Sequence, residues 1–302
     1  LGGVLFESIG AGVITKLKDE MFNVIDSFPD TKIEERKKFV VERIDKTFRE
    51  VTVATLAVAA DPDVASHTAQ EKVEDMLDYL ASVMPAVIGL NKDLWFQVGP
   101  PPGIDESHIF SISEEGFNFR SFTVRPVVST VIGQERLSRM QRVGFENLRL
   151  LLSKANPSST EKRILNMAKW LGRSLLIRGN VEKFLLSANA LEAAFSRGGV
   201  PISQTIADGV AFVIRRGVDD RLAMSKLIKE LYEQRSRLVH GGSREVDMTD
   251  LYTLQAHAFD TLAVLLVNIG MFCNTRIEDW MQSQKFQTKE DLKWPEKNNK
   301  AK

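Results

Sequence analysis

LIKELYEQRSRLVHGG, residues 227–242, decides how the C-terminal half of this chain folds. Leu227, Leu231 and Arg235 recur at four-residue steps with Ile228 and Leu238 beside them, so one helix carries an apolar stripe that ends on a guanidinium. An arginine on a stripe that should face the core or a partner calls for an explanation. His240 follows five residues later, where Gly241 and Gly242 release the chain from helical geometry. Five helical residues turn through about 500°, so an intact helix holds the two side chains about 140° apart. Unwinding at the glycines would let the imidazole swing back toward Arg235. Ser236, next to the arginine, adds a small hydroxyl.

The sequence just upstream repeats the helical pattern. Asn156-Pro157-Ser158-Ser159 is a linker and helix-entry signal, with Ser159 or Thr160 placed to cap a helix that buries Ile164, Ala168, Leu171 and Leu175. Gly179-Asn180 ends it. A second helix, about Val181–Arg197, carries Phe184, Ala188, Leu191 and Phe195 at the same spacing, and a third, about Ile202–Arg216, buries Ile206, Val210 and Val213. The quoted stretch closes a fourth, about Asp219–Val239. A fifth runs from Thr249 to about Cys273. Amphipathic helices joined by short loops predict an antiparallel bundle over residues 156–280, and the lysine-rich tail 281–302 is expected to be flexible.

Toward the N-terminus the pattern is helical from Val4 to about Ala60, then again from about Thr68 to Leu90 with Val73, Met76, Leu77 and Leu80 inward and a kink at Pro85. This acidic helical region occupies residues 1–93. Residues 94–155 form a small β-containing insert and connecting helix. There Ile109, Ser111 and Ser113, then Phe117, Phe119, Phe122 and Val124, alternate as a strand pair turning at Glu114-Glu115-Gly116, followed by a helix from Gln134 to Leu152. The fold class is therefore mainly α: a C-terminal helical bundle with an N-terminal helical region and a small β insert.

Composition narrows the function classes. With 302 residues, 43% of them hydrophobic, the chain can bury an ordinary core. Forty basic and forty acidic residues cancel overall, yet residues 1–100 hold 11 basic against 17 acidic, while 196–245 hold 9 against 6. One cysteine, Cys273, excludes an intrachain disulfide and a thiolate zinc cluster, which suits a reducing cytoplasm. The apolar runs Val51–Ala60 and Leu262–Ile269 are too short to cross a bilayer, and the first residues lack the basic start of a signal peptide, so no membrane is expected. The chain opens on Leu1 rather than methionine, as a trimmed chain would. No P-loop, dinucleotide-binding glycine run, Ser-His-Asp order or zinc spacing is present, and no metal or cofactor is expected.

The segment YEQRSRLVHG, residues 232–241, resembles the signature of HEPN domains: an arginine, a polar residue, a short spacer and a histidine. It is most similar to the Apea-like subgroup, with Tyr232, the Arg235-Ser236 pair and Val239-His240-Gly241. Leu191-Glu192 resembles that subgroup's Leu-Glu element. The resemblance covers about Glu161–Cys273 and does not extend to residues 1–130.

It implies a metal-independent endoribonuclease that works as a homodimer, of a kind frequent in bacterial toxin–antitoxin and antiphage defence. His240 would take the proton of a ribose 2′-OH, a contribution of roughly 10²–10⁴ in rate. Arg235 would steady the phosphate in the transition state, leaving a 2′,3′-cyclic phosphate. Ser236 would position the phosphate. Glu192 would orient Arg235 or cap a buried polar cluster, with Tyr232 in support. Arg215, Arg216, Arg237 and Arg244 could track an RNA backbone or form a solvated face. An activating or inhibitory protein partner is expected, since an unrestrained ribonuclease would harm its host. The alternative is a non-catalytic dimerisation or RNA-binding module within a larger defence complex. His67 and His108 read as surface residues, and His257 as structural.

Overall fold

Apolar residues at steps of three and four dominate the second half of the chain, and there the protein is a set of packed helices. The computed structural model describes residues 5–8, 52–55, 62–90, 105–113, 116–124, 132–196, 201–241, 245–272 and 276–285, with scattered helical positions between 15 and 41. In chain order the elements are β1 Leu5–Ser8, β2 Thr52–Thr55, α1 Pro62–Val83, α2 Pro85–Ile88, β3 Asp105–Ser113, β4 Gly116–Val124, α3 Gln134–Arg142, α4 Phe145–Ser153, α5 Ser159–Leu176, α6 Asn180–Phe195, α7 Ile202–Ile214, α8 Val218–Val239, α9 Met248–Val267, α10 Ile269–Phe272 and α11 Ile277–Lys285. The tail beyond Lys285 and Arg244 lie outside the described residues.

By its internal contacts the chain divides into two units, Leu1–Val73 with Val98–Pro102, and Glu74–Gln97 with Gly103–Lys302. In the first, β1 and β2 pair antiparallel, Leu5 opposite Thr55 and Ser8 opposite Thr52. This corrects the continuous helical pattern from Val4 to Ala60. Thr52-Val53-Ala54-Thr55 is rich in β-branched residues, which suit a pleated strand, and a short apolar run has no period that separates strand from helix. In the second unit β3 and β4 pair antiparallel from Asp105 opposite Val124 to Ser113 opposite Gly116.

The bundle is built from two helical hairpins. The first, α5 against α6, has the most extensive contact; α7 against α8 forms the second, and α9 packs on α5, α6 and α7. Ile164, Ala168, Leu171, Phe184, Ala188, Leu191, Phe195, Ile206, Val210 and Val213 are all buried, so each of these helices turns its sequence-defined stripe inward. Burying a side chain such as Phe184 or Leu191 contributes roughly 1.5–3 kcal/mol. The hairpin α5–α6 is further tied by Arg163, whose Nε and Nη2 donate to the carbonyls of Ala193 and Ser196 at the end of α6.

Local chemistry corrects several helix bounds. Ser158, rather than Ser159 or Thr160, caps α5: its Oγ accepts from the Glu161 amide at 3.3 Å while Glu161 Oε2 accepts from the Ser158 amide at 2.7 Å. The helix expected from Gln134 to Leu152 is two helices broken at Gly144, whose φ of 91° only glycine adopts freely, and a Cβ there would lie 2.5 Å from Leu266 Cβ. The helix expected to reach Cys273 ends at Val267, with Asn268 as its C-cap, its side chain donating back to the Val264 carbonyl. Pro85 opens a new helix, α2, instead of kinking the old one. In α1 the core takes Val73, Met76 and Tyr79, while Leu77 and Leu80 are only half-buried.

Candidate functional site

Helix α8 positions the site. It sits against α7 and, less extensively, α6, and remains helical to Val239. Met224, Ile228 and Leu231 are buried along its inner stripe, and Arg235 continues that stripe at 24% side-chain exposure. The arginine is accommodated by Glu192 of α6, likewise 24% exposed, with Nη2 3.1 Å from Oε1. The Tyr232 hydroxyl, one turn back on α8, donates to the same Glu192 oxygen. Its ring stands beside the guanidinium, 5.6 Å from Cζ to the ring centroid. Burial, then the hydrogen bond to Glu192 and that carboxylate's charge, push the Tyr232 hydroxyl well above its ordinary range, so at neutral pH it is an uncharged donor. Three residues singled out from the sequence thus meet around one carboxylate oxygen.

Two neighbouring polar atoms have no hydrogen-bond partner among the described residues despite being buried: Arg235 Nε and Gln234 Oε1. The glutamine was not singled out by its sequence, because a polar residue within a helix has no signature for an unmet acceptor.

His240 is the C-cap of α8. Its backbone amide donates to the Ser236 carbonyl at 3.0 Å, so the helix continues through the motif instead of unwinding before the histidine. Gly241, at φ 93°, makes the exit. The imidazole is exposed, and among the described residues it joins no hydrogen bond or ion pair with Arg235. Ser236 and Arg237 are exposed beside it, Arg216 is exposed, and Arg215 is half-buried at the end of α7. At the start of α8 Val218 and Leu222 are each 65% exposed, and at its end Val239, one turn beyond Arg235, is 48% exposed.

The other described histidines sit elsewhere. His67 pairs with Glu71 one turn along α1 at 3.2 Å, both exposed. His257 lies within α9 with Nδ1 buried and without a hydrogen-bond partner among the described residues, and burial pushes its pKa down. Among the described residues no three His, Cys, Asp or Glu side chains gather as a metal site requires, and no helix is long and apolar enough to cross a membrane.

Neither the protein-family models, the curated proteins nor the solved structures contain a match to this chain.

Proposed function

We propose that the protein is a metal-independent endoribonuclease of HEPN type, with Arg235 and His240 as its reacting groups. One observation carries this reading: an arginine on the inward stripe of α8 is held by Glu192, and an exposed imidazole stands at the end of the same helix. His240 takes the proton from a ribose 2′-OH, and the freed oxygen attacks the adjacent phosphorus. The bond from phosphorus to the 5′ oxygen breaks, and that oxygen leaves as a hydroxyl after taking up a proton. The product is a 2′,3′-cyclic phosphate. Arg235, always charged and able to grip two oxygens, offsets the charge that builds on the phosphate. Ser236 adds a donor at its edge, and Arg215, Arg216, Arg237 and Arg244 are the candidates to steer the RNA backbone.

Within one chain the two groups point about 140° apart on an intact helix. Full assembly of the site therefore calls for a homodimer that brings two α8 ends together, and Val239, 48% exposed one turn beyond Arg235, supplies apolar surface for it. The β-containing insert and the acidic N-terminal region are assigned to sensing or regulation, in a defence or toxin effector with an activating or inhibitory partner.

The exposed Val218, Leu222 and Val239, with no hydrogen bond between His240 and Arg235 among the described residues, favour a second reading: a non-catalytic module that dimerises or holds RNA within a larger complex. Arg235→Ala separates the two. If the fold and dimer persist while RNA cleavage disappears, the ribonuclease reading stands. If wild type cleaves nothing and the variant loses dimers or many degrees of Tm, the structural reading replaces it. Growth arrest on overexpression of wild type, absent for His240→Ala, would show the activity in cells.

A further inference from the structure

We infer that Glu192 is a latch on Arg235: in the resting protein its carboxylate occupies the arginine's phosphate-gripping edge, and a phosphate must displace it. This deepens the ribonuclease reading and rests on it for the identity of the phosphate. A guanidinium grips two oxygens either through Nε with Nη2 or through Nη1 with Nη2; Nη2 lends one N–H to each fork, so a carboxylate seated at Nη2 crowds the approach to both. Nη2 is the atom that Glu192 holds, at 3.1 Å. The side fork is also hidden, because Arg235 Nε is buried and has no acceptor among the described residues. Leaving such a donor unmet works against the resting arrangement, while the charge pair works for it. The arginine is therefore poised between Glu192 and an incoming anion.

Tyr232 determines how the latch lets go. Its hydroxyl donates to the same Oε1 that pairs with the guanidinium at 3.1 Å, so a hydrogen bond and an ion pair converge on one oxygen. When Arg235 moves out to a phosphate, Tyr232 remains to satisfy the carboxylate that would otherwise be left half-buried with its charge unmet. Removing the hydroxyl should make Glu192 depend on Arg235 alone and tighten the latch. Neutralising Glu192 should open it.

The side-chain Nε–H signal of Arg235, followed by NMR while inorganic phosphate is added, tests this without any cleavage. Glu192→Gln is expected to respond at roughly 3- to 10-fold lower phosphate than wild type, the worth of one partly buried charge pair. Tyr232→Phe is expected to respond at higher phosphate than wild type. Opposite shifts in the two variants are what a latch requires; a purely structural cluster would weaken the response in both. An unchanged or weaker response in Glu192→Gln would overturn the latch. A deoxyoligonucleotide, which lacks the attacking hydroxyl, and its RNA counterpart are then titrated into the same variants. Tighter binding of both by Glu192→Gln extends the latch to nucleic-acid phosphate. Because phosphate titration is independent of RNA turnover, failure of the ribonuclease reading and failure of the latch give separate results.

Discussion

Arg235 on α8 and Glu192 on α6 meet Nη2 to Oε1 at 3.1 Å, each three-quarters buried, so the arginine that interrupts an apolar stripe is neutralised by the neighbouring helix. That pairing makes the site part of the bundle's packing as well as its chemistry. Removing the carboxylate leaves a partly buried cation with one more unmet donor. Glu192→Ala is expected to lower unfolding free energy by about 1–3 kcal/mol, read as a shift in urea midpoint at constant m-value. A double-mutant cycle with Arg235→Ala should show a coupling of about 0.5–2 kcal/mol. The exposed Lys226–Glu230 pair, at 4.0 Å, should show almost none.

Asp78 on α1 gives a pH signature. It is 7% exposed, and burial, only partly offset by Arg173 and reinforced by Asp75, raises its pKa from 3.8 to about 6; Lys169, which pairs with Asp75, and Glu74 act more weakly. A carboxyl whose folded pKa is raised stabilises the fold fully below its unfolded value near 3.8, and that contribution is lost as pH rises through about 6. Stability should therefore fall by up to about 3 kcal/mol between pH 4 and pH 7 on this account. Asp78→Asn, which keeps the neutral shape, is expected to flatten this slope and to be more stable than wild type at pH 7. Parallel pH profiles for the two proteins would refute the assignment.

Two glycines at nearly the same φ should respond differently to alanine. Gly144, at 91°, has Leu266 Cβ 2.5 Å from where its own Cβ would lie, whereas Gly241, at 93°, would meet nothing within 4 Å among the described residues. Gly144→Ala pays both the left-handed backbone and a clash, about 2–5 kcal/mol, and Gly241→Ala only the former, about 1–2 kcal/mol. Thermal melts of both variants check the ordering. Equal losses would mean that α4 can shift away from α9.

The bundle was legible because its helices obey one period. Phe184, Ala188, Leu191 and Phe195 recur at helical spacing, and all four are buried. What was not legible depends on tertiary contact. Asp78 has a charge that reads as surface, yet its backbone carbonyl lies 1.6 Å from where a Gly172 Cβ would stand, a close helix approach that glycine alone permits. Gly144 breaks a pattern that otherwise runs unbroken, because the backbone must pass Leu266. The strand pair β1–β2 joins segments far apart in the chain, a pairing that no local period encodes. At the site, Arg235, Glu192 and Tyr232 were named through the resemblance of YEQRSRLVHG, and their contact is a property of how α6 lies against α8. The swing of His240 toward Arg235 expected from the glycines is not seen: they release the chain only after the histidine amide has closed the last turn on Ser236.

The most direct measurement is incubation of purified wild type and His240→Ala with mixed cellular RNA in EDTA, reading the fragment ends. Wild type is expected to yield fragments carrying 2′,3′-cyclic phosphate, and His240→Ala none. Cleavage that persists in His240→Ala, or wild-type cleavage that stops in EDTA, would contradict this mechanism.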